Sequence, residues 1–107
     1  MTVRFDQDKL REITRRLVAT YQPKRLIFFG SQVWGTPTED SDLDILVEID
    51  HTEEPTWKRA RSGYKALFGL GIPCDILVRT SKEVARDQAI PVTLVYKIIA
   101  DGQIVYE

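Results

Sequence analysis

The sequence predicts a small α/β or α+β domain in which helices flank a mixed sheet of about four strands. Segments with apolar residues at helical spacing alternate with short apolar or alternating runs typical of strands. The 107 residues are 43% hydrophobic, which is enough for one core but not for two. We therefore expect a single domain over residues 1–107. Long and short connections are mixed, so parallel and antiparallel pairing both stay open.

The beginning of the chain contains one predicted helix and one predicted strand. Residues 6–21 carry apolar side chains at helical spacing with arginines on the other face, which predicts an amphipathic helix. Pro23 ends this helix, and residues 25–29 form a short apolar run that predicts a buried strand. Gly30 ends the strand, and Ser31 then opens a turn or a short helix.

Carboxylates and apolar residues alternate along residues 42–49. Because successive side chains of a strand point to opposite faces, one face carries acid and the other packs inward. We therefore expect a half-buried strand. The inward-facing residues are Leu43, Ile45 and Val47.

A second helix is predicted to start after Pro55 and to end at Gly69 and Gly71. Its apolar stripe consists of Trp57, Ala60, Tyr64, Leu67 and Phe68.

The remaining residues predict two strands and two more helices. Residues 74–78 form an apolar strand, and Thr80 or Ser81 can cap the helix that follows it. Residues 91–99 predict a final helical segment, and residues 103–106 predict a short last strand.

Charge and cysteine content narrow the class of protein. Fifteen basic residues nearly cancel sixteen acidic ones, so no global field draws the chain to nucleic acid or to a membrane. We therefore expect neither as a partner. Cys74 is the single cysteine and cannot form an internal disulfide, and no secretory leader or long apolar span is present. A cytoplasmic location is the simplest expectation.

The first chemical signal is the pair Gly30–Ser31 at the end of a predicted strand. A glycine lets the backbone approach a phosphate closely, and the hydroxyl and N–H groups that follow can donate hydrogen bonds to it. The pair alone is more often an ordinary turn with a capped helix.

Aspartates strengthen this signal. Asp42 and Asp44 lie two residues apart on one strand, so they share a face at roughly 6.5–7 Å between Cα atoms. Magnesium prefers oxygen ligands and commonly combines one or two carboxylates with substrate phosphates. Asp75 lies in an otherwise apolar strand, where an unpaired charge is unfavourable. Alone it is equally well explained as a buried acid bonded to backbone or to an arginine; with the other two, metal ligation is favoured.

These residues resemble the signature of nucleotidyltransferases related to DNA polymerase beta. The run GSQVWGTPTEDSDLDILV is similar to their glycine-serine and Asp-x-Asp motif, and IPCDILV to their third-acid strand. With the ending IIADGQIVYE, the chain most resembles the minimal nucleotidyltransferases of prokaryotes.

The resemblance implies the polymerase beta-like fold and a set of site residues. The catalytic and metal-binding residues it implies are Asp42, Asp44 and Asp75. The nucleotide-binding residues it implies are Gly30, Ser31, Gln32, Gly35 and Ser41. The implied reaction transfers a nucleoside monophosphate to a hydroxyl acceptor. The donor would be ATP, which gives AMP, or another nucleoside triphosphate. Two Mg²⁺ ions, or Mn²⁺, would assist the transfer.

The resemblance also implies a protein partner. Many such small proteins pair with a helical HEPN-domain toxin, act as its antitoxin and can transfer AMP to one of its tyrosines. The alternative is a binding module with weak or absent catalysis that neutralises its partner by contact. Assembly with further copies of this chain is also open.

Other residues receive plainer interpretations. Many relatives carry arginine where this chain has Trp34, which we expect to pack against a neighbouring helix. The basic run at residues 58–61, with Lys65, is predicted to be a solvated face. His51 is predicted to be exposed without a role, and Cys74 to be a small core side chain rather than a nucleophile.

Overall fold

The computed structural model describes residues 6–34 and 42–107 as a four-stranded mixed sheet with helices packed on both faces. The elements are α1 (Gln7–Tyr21), β1 (Arg25–Phe29), α2 (Ser31–Trp34), β2 (Leu43–Ile49), a 3₁₀ turn (Thr56–Lys58), α3 (Arg61–Leu67), β3 (Cys74–Thr80), α4 (Ser81–Gln88), α5 (Leu94–Asp101) and β4 (Gln103–Tyr106). The predicted fold class and the number of strands are confirmed.

The order of the strands determines where the functional residues meet. The order is β3-β2-β1-β4, with β1 antiparallel to both β2 and β4, and β2 parallel to β3. Because β1 and β2 run in opposite directions, the end of β1 lies beside the start of β2. The start of the parallel strand β3 lies at the same edge. Three strand ends that are far apart in sequence therefore converge.

Helices α1 and α3 cover one face of the sheet. Asp6 caps α1 by accepting a hydrogen bond from the N–H of Asp8 at 2.7 Å, as expected for an N-terminal cap. The buried side chains of α1 are Leu10, Ile13 and Leu17. They pack with the odd-numbered residues of β2, which include Leu43, Ile45 and Val47. The inward-facing side of β2 was therefore predicted correctly.

The opposite face of β2 is also covered, so the prediction of a half-buried strand was wrong. Ile98 of α5 packs on this face with Ile27 and Leu46. Glu48 is buried too, and Arg25 on the neighbouring strand donates to its carboxylate at 2.6 Å. The alternation of acid and apolar residues does not distinguish an open face from one that is covered and charge-paired. Asp42, just before β2, is exposed, and Asp44 near the start of β2 is partly exposed.

The apolar stripe predicted for the second helix was also wrong. Trp57 and Phe68 are 70% and 86% exposed, and Tyr64 is 45% exposed. Only Ala60 and Leu67 of the predicted stripe pack toward the core. The prediction assumed a continuous helix, whereas a 3₁₀ turn with about three residues per turn precedes the short α3. The break separates Trp57 from α3, and Phe68 lies beyond the end of the helix at Leu67.

The last helices begin at well-defined caps. Thr80, one of the two predicted caps, starts α4 with a capping box in which the Glu83 side chain accepts from the Thr80 N–H at 2.8 Å. Thr93 caps α5, so this helix begins three residues later than the predicted start at Pro91. None of the helices in the described ranges is long and apolar enough to cross a bilayer.

Candidate active site

Gly30 joins β1 to α2 at the edge where the three strand ends meet. Its φ of +83° lies in the region that only glycine adopts readily. A Cβ at this position would overlap Oδ2 of Asp44 and lie 2.9 Å from its Cγ. The Gly30 carbonyl accepts from the N–H groups of Val33 and Trp34 at 3.0 and 2.9 Å, which starts α2 directly. The backbone of Gly30 is therefore in close contact with an acid.

Asp44 is at the centre of three acids. It is in register with Asp75 on β3, one strand spacing of about 4.8 Å away, and Asp42 precedes it by two residues. Burial raises the pKa of Asp44, and the negative charges of Asp75 and Asp42 raise it further. Among residues 6–34 and 42–107, no lysine or arginine pairs with Asp44, and a bound cation would neutralise its charge.

Asp75 is not buried, contrary to the prediction of an acid embedded among apolar residues. It lies exposed at the start of β3, which is an edge strand of the sheet. Its hydrogen-bond partner is neither backbone nor arginine: the Tyr64 hydroxyl donates to Oδ1 of Asp75 at 3.2 Å. The same hydroxyl accepts from the N–H of Ile76 at 3.0 Å.

The sequence does not indicate that Tyr64 contacts Asp75, because its spacing places Tyr64 in the predicted apolar stripe. Burial raises the pKa of Tyr64, and the neighbouring Asp75 charge adds to this effect while the Ile76 hydrogen bond opposes it. The hydroxyl therefore stays protonated at neutral pH and donates to Asp75. A tyrosine eleven residues before a strand acid gives no local signal, since the contact depends on how α3 folds back along β3.

The other predicted nucleotide-binding residues have different environments. Ser31 is partly buried and is the first residue of α2, so its position suits a phosphate near the start of that helix. The Gln32 side chain is only 2% exposed and is enclosed by protein. Gly35 and Ser41 lie outside the described residues.

The chemistry of the acids fits a metal that shares its ligands with a substrate. Within residues 6–34 and 42–107, no three His, Cys, Asp or Glu side chains already form a metal-binding cluster. Magnesium usually keeps waters and takes one or two carboxylates together with phosphate oxygens, so a complete protein cage is not needed. The close approach of the Gly30 backbone to Asp44 and the raised pKa of this carboxyl are compatible with such a shared site.

Three plainer predictions are confirmed. Trp34 is half-buried, with its ring 5.7 Å from that of Phe29 and with the Lys97 ammonium 4.9 Å from its centroid. Cys74 is partly buried, and burial, with the charges of Asp42 and Asp44, raises its thiol pKa to about 11. His51 is exposed and contacts Glu53 at 2.7 Å.

The prediction of a solvated basic run was wrong for Arg59. Its guanidinium is buried and donates to Glu83 at 2.7 Å and to the carbonyl of Glu54 at 3.0 Å. Arg59 therefore ties the 3₁₀ turn to α4. Lys58, Arg61 and Lys65 are exposed, as predicted.

Comparison with known proteins identifies the class. A family model described as a nucleotidyltransferase domain matches residues 8–104, which is nearly the whole chain. A protein of Methanocaldococcus jannaschii named "Putative protein adenylyltransferase MJ1379" is 32% identical over 78 residues, covering 68% of this chain and 78% of that protein. No solved structure gives a significant match.

The chain therefore belongs to the nucleotidyltransferase domain family. It is a minimal nucleotidyltransferase with the polymerase beta-like α+β fold, and its activity is nucleotidyl transfer.

Proposed function

We propose that this enzyme transfers AMP from ATP to a hydroxyl group of a protein, with the help of two Mg²⁺ or Mn²⁺ ions. The observation that carries the proposal is the contact between Gly30 and Asp44 beside Asp75. It supports a phosphate-binding backbone and a metal-binding carboxylate that act on the same triphosphate.

Each residue has a distinct task in this reaction. The backbone at Gly30 and the first turn of α2, with Ser31, would hold the triphosphate. Asp42 and Asp44 would hold both metal ions, and Asp75 would hold one of them. When bound, the two ions supply charge stabilisation for in-line displacement at the α-phosphorus.

Asp75 also suits the role of proton acceptor. It is exposed at the edge of the sheet, and its Oδ1 already accepts a hydrogen bond from a hydroxyl group. A general base must be within hydrogen-bond reach of the proton that it removes. Asp75 would accept the proton of the acceptor hydroxyl as the oxygen bonds to the α-phosphorus and pyrophosphate leaves.

A protein acceptor is supported by the name of the Methanocaldococcus jannaschii relative, a protein adenylyltransferase. The sequence resemblance implies that the acceptor would be a tyrosine of a HEPN-type toxin, for which this chain would act as a cytoplasmic antitoxin. Exposed apolar side chains at Trp57 and Phe68 support contact with a partner protein. The same surface would support inhibition of the partner by contact as a second function.

ATP labelled at the α- or the γ-phosphate tests the proposal. With Mg²⁺ and the co-purified HEPN partner, we expect the α-label but not the γ-label on the partner. Asp44→Asn should remove the labelling without preventing complex formation. Asp50→Asn is the matched control, because Asp50 is exposed beyond the other end of β2 and pairs with Lys24 at 3.5 Å. Complex formation without any labelling would leave inhibition by contact as the function.

A further inference from the structure

The Tyr64 hydroxyl lies against the acid that we expect to activate an acceptor. It donates to Oδ1 of Asp75 at 3.2 Å, which is within reach for proton transfer. The N–H of Ile76, which belongs to the edge strand β3, donates to the phenolic oxygen at 3.0 Å and so fixes its position. Helix α3 thus supplies a hydroxyl at the position that an external acceptor would have to reach.

The proposed phosphate-binding turn and this hydroxyl lie at opposite ends of one row. Phe29, which precedes Gly30, is in register with Asp44, and Asp44 is in register with Asp75. Tyr64 then contacts Asp75 from outside the sheet. The row therefore runs from the glycine turn across two acids to a hydroxyl group. Transfer from a bound triphosphate to a hydroxyl group requires the phosphate-binding turn, the acids and the hydroxyl group in this order.

Tyr64 remains accessible to a substrate. Its side chain is 45% exposed even though its oxygen is held by two hydrogen bonds. Tyr21 differs, because its hydroxyl is bonded to the carbonyl of Arg59 and the N–H of Gly63 between α1 and α3. Tyr96 and Tyr106 are 42% and 37% exposed but have no hydrogen bond to an acid of the site among the described contacts.

We propose that Tyr64 is an internal acceptor and that the enzyme transfers one nucleoside monophosphate to its own Tyr64. The phenolic oxygen forms a bond to the α-phosphorus of the triphosphate, the bond to the bridging oxygen breaks, and pyrophosphate leaves. Asp75 takes the phenolic proton. The product is a phosphodiester on Tyr64, which removes the hydroxyl donor from Asp75 and limits the reaction to one event per chain. This inference depends on the proposed nucleotidyl transfer.

Mass spectrometry of the purified chain with ATP and Mg²⁺ tests the inference. We expect the intact mass to increase by one AMP unit per chain and fragment spectra to locate the unit on Tyr64. Because donor and acceptor belong to one molecule, the first-order rate should not change on tenfold dilution of the protein. Asp75→Asn should lose the adduct, since the proton acceptor is gone.

Variants separate an acceptor from a residue that only positions Asp75. Tyr64→Phe should form no adduct, whereas the matched controls Tyr96→Phe and Tyr106→Phe should be modified as fast as the wild type. A residue that only positions Asp75 would never carry the nucleotide, so an unmodified Tyr64 in wild-type protein that binds Mg²⁺–ATP would overturn the inference. An adduct elsewhere, or a rate proportional to protein concentration, would also overturn it. Absence of Mg²⁺-dependent ATP binding would instead reject the proposed function.

Discussion

Gly30 and Asp44 determine the local geometry of the site at the scale of single residues. Gly30 has a positive φ, and its missing side chain leaves the space that the Asp44 carboxylate occupies. Asp44 is itself held in an unfavourable electrostatic environment, as its raised pKa indicates. Unfavourable local electrostatics of this kind are common at sites that bind a cation or a charged substrate.

Substituting Gly30 should lower both the free energy of unfolding and the affinity for nucleotide. Gly30→Ala introduces a Cβ that overlaps the Asp44 carboxylate, so the acid must move. Gly69→Ala is the matched control, because Gly69 also has a positive φ of +91° but no atom within 4 Å of the added Cβ. The control should lose ~1–2 kcal/mol of unfolding free energy for the backbone conformation alone. Gly30→Ala should lose about 1–3 kcal/mol more, as overpacking does. Equal losses in urea denaturation would contradict the overlap.

Removing the charge of Asp44 should stabilise the free protein and abolish Mg²⁺-dependent nucleotide binding. The pKa of Asp44 is higher in the folded than in the unfolded chain, so its ionisation weakens folding as pH rises through that raised pKa. Asp44→Asn should therefore unfold at a higher temperature than wild type at pH 7, with a gain in unfolding free energy of about 1 kcal/mol or less, because water screens a partly exposed carboxylate. The difference should vanish well below pH 3.8, where the carboxyl is protonated in both states. A less stable variant at pH 7 would contradict this.

For single residues, the sequence predicted which acids and which glycine lie together at the sheet edge, but not their environments. Asp42, Asp44 and Gly30 were recognisable because their spacing on and before a strand follows from local geometry. The exposure of Asp75 and its contact with Tyr64 could not be recognised from the sequence, because both depend on the path of α3 along the sheet edge.

Among the secondary-structure elements, a partly buried ion pair connects the 3₁₀ turn to α4. Glu83 accepts from the Arg59 guanidinium at 2.7 Å and from the Thr80 N–H at 2.8 Å. The hydrogen bond from Arg59 is the main cause that lowers the pKa of Glu83 from 4.5 to about 2. One carboxylate thus closes a helix cap and neutralises a buried arginine.

Glu83→Gln should weaken the fold and remove a pH-dependent part of its stability. The folded pKa of Glu83 is lowered, so its contribution is present above pH 4.5 and is lost as pH falls through about 2. We expect a loss of about 1–3 kcal/mol at pH 7, as for hydrogen bonds between charged groups that are partly buried. Thermal unfolding across this pH range measures it.

Glu12→Gln provides the control for the Glu83 substitution. Glu12 also has a pKa lowered to about 2, by hydrogen bonds from Arg15 and Arg16, but the side chains of these arginines are 68% and 31% exposed, whereas that of Arg59 is 9% exposed. Exposed pairs contribute little because water and salt screen them. A loss for Glu12→Gln as large as that for Glu83→Gln would contradict the importance of burial.

Hydrophobic periodicity predicted most elements but failed where the helix type changed. α1, β1 and β4 follow the predicted bounds to within a residue, and Thr80 caps α4. The segment around α3 failed because Trp57 lies in a 3₁₀ turn before the helix and Phe68 lies beyond its end at Leu67. Tyr64 shares a helix face with Ala60 and Leu67, but its hydroxyl contacts Asp75 at the edge of the sheet.

At the scale of the whole molecule, the mixed sheet brings the site together. The end of β1 and the starts of β2 and β3 converge because one pair of strands is antiparallel and the other parallel. The lengths of the connections permitted both kinds of pairing, so this convergence could not be derived from residue patterns alone. The family resemblance implied it, and the strand register shows it.

Isothermal titration of a non-hydrolysable ATP analogue tests whether Asp42 and Asp44 form a metal-dependent nucleotide site. Wild-type protein and Asp42→Asn/Asp44→Asn should be titrated with and without Mg²⁺, with Asp50→Asn as the charge-matched control. We predict binding that requires Mg²⁺, is retained in the control and is lost in the double variant. Binding of equal strength in the double variant, or no binding to the wild type with Mg²⁺, would contradict a metal-dependent nucleotide site at these aspartates.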